Sequence, residues 1–114
     1  MNTIEVTVTG AAGVSVDEVR DRVPELVEEL RERLDGCGDG LTLPGYAPGE
    51  RNSTAFQVMG AQLRAIHAYQ REHGRPARVT IECAGEDAAR LYKQIYNFYI
   101  STTKDARLED KSWD

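Results

Sequence analysis

Two short stretches near opposite ends of the chain alternate apolar and polar residues, and three longer ones between and after them repeat apolar residues at helical spacing. In Thr3 to Thr9, Ile4, Val6 and Val8 alternate with Glu5 and Thr7. In Arg78 to Cys83, Val79, Ile81 and Cys83 alternate with Thr80 and Glu82. This period of two predicts strands with one buried face and one wet face. Their shared character predicts that both lie in one sheet with their apolar faces toward the helices.

Val16, Val19, Val23, Leu26, Val27, Leu30 and Leu34 repeat at helical spacing behind Ser15 and Glu18, a capping-box pair. Pro24 falls inside this run, where it would remove a helical hydrogen bond. The expected solution is a short first turn ending near Arg22 and a regular helix over 24–34. Three glycines, Gly36, Gly38 and Gly40, end that helix. Leu41 to Leu43 then reads as a short strand, and a weak extended segment at Glu50 and Arg51 is expected to pair back on it as an edge hairpin. Phe56, Met59, Leu63 and Ile66 mark a long helix behind a second capping pair, Thr54 and Gln57. Gly74 and Pro76 stop it near His73. Ala88, Leu91, Ile95 and Phe98 define a last helix after Ala84-Gly85. Residues 1–100 are expected to form one α+β domain, and 101–114 a polar tail carrying Trp113.

Composition narrows the function more than it defines it. At 114 residues with 40% apolar and 29% charged residues, the chain is of ordinary globular make-up and long enough for one core. No apolar run reaches the roughly 18 residues of a membrane span, and the first residues do not form a secretory signal. Cys37 and Cys83 form no paired motif and read as free thiols of a cytoplasmic protein. A net charge of −5 argues against nucleic acid as partner, because phosphates require a basic face. A cationic protein surface suits it better.

The order strand, helix, short strand, weak strand, helix, strand, helix carries residues that resemble a known family. IEVTVTGAAGVS at 4–15, LTL at 41–43, NST…MG…L from Asn52 to Leu63 and RVTIECAGEDAARLYKQI at 78–95 together resemble HPr, the phosphocarrier protein of the bacterial sugar phosphotransferase system. The resemblance implies an open-faced two-layer sandwich: an antiparallel sheet of about four strands with helices on one face, in the order β-α-β-β-α-β-α. It also implies a phosphoacceptor histidine after the first strand, with an arginine beside it. Aligned through Gly13, those positions hold Ser15 and Asp17; aligned through Pro24, they hold Asp21 and Val23. The regulatory serine of the family falls near Ala55, with Ser53 and Thr54 adjacent.

No histidine occupies the acceptor position, so the expectation is a non-catalytic HPr-like domain that regulates or binds proteins. The alternative is a small acidic inhibitor or immunity-type protein that covers a basic site. His67 and His73 are six residues apart, on different helix faces, and cannot chelate one metal in the i, i+4 manner. The glycines at 36–40 lack the lysine and hydroxyl residue of a phosphate loop. We expect no catalytic residue, metal or cofactor. Ser15, Asp17, Asp21, Phe56, Gln57, Met59 and Trp113 are the candidate binding residues. A protein is the expected partner, a second copy of the chain included.

Overall fold

A computed structural model describes residues 2–10 and 13–100; Trp113 and the rest of 101–114 lie outside the described residues. Among the described residues there are three strands and four α-helices. Strand β1 (Thr3–Val8) leads to a one-turn helix α1 (Val16–Val19), a 3-10 turn over Arg20–Arg22 and helix α2 (Val23–Asp35). Strand β2 (Gly40–Pro44), helix α3 (Asn52–His73), strand β3 (Arg78–Cys83) and helix α4 (Glu86–Tyr99) follow.

The sheet is three-stranded and wholly parallel, in the order β1-β3-β2. This corrects the antiparallel sheet of about four strands. Each strand here is followed by a helix, which returns the chain to the start of the sheet and makes the next strand parallel, whereas antiparallel neighbours are joined by tight turns. The expected edge hairpin at Glu50 and Arg51 is absent. Instead, the Glu50 N–H donates to Asp17 Oδ2 at 3.3 Å, and Arg51 is the extended residue that precedes the first turn of α3. The sheet implied by the phosphocarrier resemblance is thus not the one present.

The two alternating stretches do lie side by side, with Ile4 opposite Val79, Val6 opposite Ile81 and Val8 opposite Cys83. Val79, Ile81 and Cys83 are fully buried under the helices, and α4 packs on both β1 and β3. On the other face Thr3, Glu5, Thr7 and Thr42 are exposed, so the helices occupy one side only. Pro24 sits in the first turn of α2, where its missing N–H has no intrahelical partner to lose. The helix α3 starts two residues before Thr54, which is buried rather than capping. At its other end Gly74 adopts φ 71° and its N–H donates to Gln70 O, the left-handed termination that glycine permits.

One core joins all of these elements. Leu34 from α2, Met59, Leu63 and Ile66 from α3, Ile81 from β3, and Tyr92 and Ile95 from α4 are all at zero exposure.

Candidate functional site

The segment that follows β1 concentrates the charge of the molecule. From Val16 to Asp35 there are eight carboxylates and four arginines, while the remaining described residues hold seven of each sign. All eight carboxylates are exposed. Within α2, Glu25, Glu28, Glu29 and Glu32 stand at i, i+3, i+4 and i+7 and therefore share one helix face. Leu26, Leu30 and Leu34 take the opposite face into the core. None of the four glutamates is paired with a cation among the described residues. Like charges at these spacings cost a helix about 0.2–0.5 kcal/mol per pair; Arg31 at i+3 to Glu28 and Arg33 at i+4 to Glu29 offset part of that cost without forming an ion pair with the stripe among the described residues.

Beside the stripe, α2, the end of β2 and α3 line a half-open cavity of about 110 Å³. Val23, Leu26, Leu43, Pro44 and Val58 give it apolar walls, and Glu29 and Arg33 stand among its lining residues. The space equals about three to four water volumes, enough for one aliphatic side chain. Tyr46 also lines it. Burial pushes the Tyr46 phenol above its ordinary pKa, and Glu29 adds to the rise.

Behind the cavity lies a closed polar knot. The Tyr92 hydroxyl donates to Gln62 Oε1 at 2.6 Å and accepts from the Tyr46 N–H at 2.8 Å. Both partners of this buried phenol are satisfied, and desolvation raises its pKa strongly. At the far end of α2 a second knot holds the helix terminus. Arg75 donates to Leu34 O at 2.8 Å and to the Tyr69 hydroxyl at 2.9 Å, and Tyr69 donates to Asp35 Oδ1. The guanidinium thus meets carbonyls left unpaired at a helix C-terminus, where a cation is favoured.

The ends of the strands, where parallel sheets commonly take ligands, are closed by the chain itself. Val16 N–H donates to Ala47 O and Ala47 N–H to Val14 O, joining the loops after β1 and β2. A methyl group on Gly13 would stand 2.2 Å from Gly45 O, and one on Gly45 would stand 3.0 Å from Glu82 O. Only residues without a Cβ allow this approach.

The expected binding residues divide between the two helix starts. Ser15 caps α1: its Oγ accepts from the Asp17 N–H at 3.1 Å and its own N–H donates to Glu18 Oε2 at 3.4 Å, the capping box read from the sequence. Asp17 anchors the loop at Glu50. Asp21 is 93% exposed beside Arg20. On α3, Gln57 is exposed and Met59 is fully buried in the core. Phe56 is half-buried, its ring edge-on to Phe98 at 5.7 Å. Phe98 is 60% exposed, and Arg64 lies over Tyr99 beside it.

Cys83 is buried with its pKa raised by desolvation, and Cys37 Sγ lies against Leu34 O. Among the described residues no group of three or more His, Cys, Asp or Glu side chains is placed to hold a metal, and no helix is long and apolar enough to cross a membrane. Sequence reasoning missed the two knots. For the first the available signal was Gln62 on the buried stripe of α3, because a buried amide requires partners; the second had none, and Gln70 on the same stripe marks a third, separate tie. Gln70 finds its partners at Thr3 O and Pro76 O. Compared with protein-family models, curated proteins and solved structures, the chain matches none.

Proposed function

We propose that the chain is a non-catalytic protein-binding domain that offers the acidic face of the α1–α2 segment to a basic partner protein. The observation that carries this reading is the stripe of Glu25, Glu28, Glu29 and Glu32. Four carboxylates on one face repel one another at a cost to the helix that bears them, and a local choice that works against stability is expected at functional surfaces. The neighbouring apolar cavity supports the same reading. A side chain of the partner seated there would add desolvated contact to an electrostatic encounter. An acidic inhibitor that covers a cationic site is the form of this function the charge favours.

The test compares three proteins as bait in host lysate at low and high salt: the parent chain, Glu25→Lys/Glu28→Lys/Glu32→Lys, and Glu72→Lys/Glu86→Lys. A partner captured by the parent and by the second variant, released by salt and not captured by the α2 variant, is the expected result. Equal capture by all three, or capture indifferent to salt, refutes the proposal.

A further inference from the structure

The two edges of the sheet differ in a way that points to a second partner surface. In a parallel ladder the residues of an edge strand alternate: every second one turns its N–H and C=O to the neighbouring strand and the others turn theirs outward. Thr3 N–H donates to Ala77 O and Thr9 N–H to Cys83 O, so the odd-numbered residues of β1 face β3. Ile4, Val6 and Val8 therefore direct their backbone groups away from the sheet, and none of these groups is met by another among the described residues. On the opposite edge, Gly45 N–H donates to Glu82 O, which leaves Gly40, Thr42 and Pro44 outward. Pro44 has no N–H, and a proline on an edge is a recognised block to further pairing. The β1 edge has no proline, glycine or lysine. Its single charge, Glu5, is engaged by Arg78 at 3.4 Å.

We infer that β1 pairs with β1 of a second copy of this chain, antiparallel about a two-fold axis at Val6. In that register Val6 faces its own copy and Ile4 faces Val8 of the other chain. All three outward residues form hydrogen-bonded pairs, and the sheet becomes six-stranded. Glu5 then stands opposite Thr7. Shifting the register by two residues toward the N-terminus would place Glu5 against Glu5, and shifting it the other way would leave Ile4 unpaired, so the sequence of β1 selects one arrangement. Val8, 44% exposed in the single chain, gains Ile4 as a cover. The inference is independent of the acidic face on α2, which belongs to a different surface. An interface of one strand pair is at the small end of specific interfaces, so the dimer forms in a concentration-dependent way.

Sedimentation velocity on the full chain across a dilution series tests this, together with amide hydrogen exchange at low and high protein concentration. The expected result is a reversible dimer in which the Ile4, Val6 and Val8 amides gain protection as it forms. Thr7 is exposed on the open face opposite Glu82 of its own chain, so a charge there shifts monomer stability by no more than a cross-strand pair does, and urea unfolding of each variant measures that part separately. Thr7→Lys, facing Glu5 of the other chain twice, tightens the dimer about fivefold, and Thr7→Glu weakens it by a similar factor, in line with cross-strand charge pairs. A chain that stays monomeric at every concentration overturns the inference. So does a dimer whose affinity neither Thr7 variant changes, or one in which those three amides exchange at the same rate as in the monomer.

Discussion

The helices α2 and α3 both connect one parallel strand to another, yet they are built for different ends. Ten of the 22 residues of α3 are buried, and its one carboxylate is Glu72. It is fixed at mid-length by Gln62 to Tyr92 and near its end by Gln70. In α2 only Leu30 and Leu34 are buried, five carboxylates face solvent, and the firmest polar hold is Arg75 on the last carbonyls. The comparison separates the helix that makes the fold from the one the fold displays.

The largest effect is expected where α3 is tied in. Tyr92→Phe leaves Gln62 Oε1 and the Tyr46 N–H buried without partners, and urea unfolding should show a loss of about 2–4 kcal/mol. Alkaline pH should weaken the same region in the parent chain. The folded-state pKa values of Tyr92, Tyr46 and Cys83 are raised above their ordinary values of 10.0, 10.0 and 9.0. From about pH 9 upward the unfolded chain therefore releases protons that the folded chain retains. Stability is complete below that range and falls as pH rises through it, which urea midpoints between neutral pH and pH 11 will measure. A flat profile would contradict the burial of these groups.

Effects on α2 should be smaller and local. Arg75→Met removes the hold on Leu34 O, with an expected loss of about 1–2 kcal/mol and faster amide exchange confined to the last turn of α2 and the residues after it. The smallest stability change is expected at Glu32→Lys, with the opposite sign. It replaces repulsion from Glu28, Glu29 and Asp35 by attraction near a helix C-terminus, a gain of about 0.5–1 kcal/mol in thermal or urea unfolding. Partner capture should fall in the same variant. A more stable protein that binds less is the pattern of a surface kept at the expense of stability; a less stable one would erase the contrast between the helices.

Much of this was legible in the residues. Alternation in 3–8 and 78–83 placed both strands on one sheet, and Pro24, Gly74 and Pro76 marked helix ends within a residue or so, because each reflects local backbone chemistry. Strand direction was not legible in the same way. The five-residue β2 and the loop to Asn52 have no periodicity that distinguishes a returning hairpin from a loop climbing to α3, and the resemblance supplied the wrong choice. The acidic stripe could be found from spacing alone. The cavity could not, since it depends on how α2, β2 and α3 meet, whereas the burial of Met59 follows the helical stripe on which its spacing places it.

The contact between Gly13 and Gly45 ties the proposed recognition to a backbone seam outside the glutamate stripe of α2. Helix α1 grows directly out of that seam, so enlarging residue 13 would tilt the whole acidic display relative to its base while every charged side chain stayed chemically intact. A screen for lost recognition should therefore also recover substitutions at a backbone crossing with no charge of its own, told apart from the glutamate variants by the stability they lose.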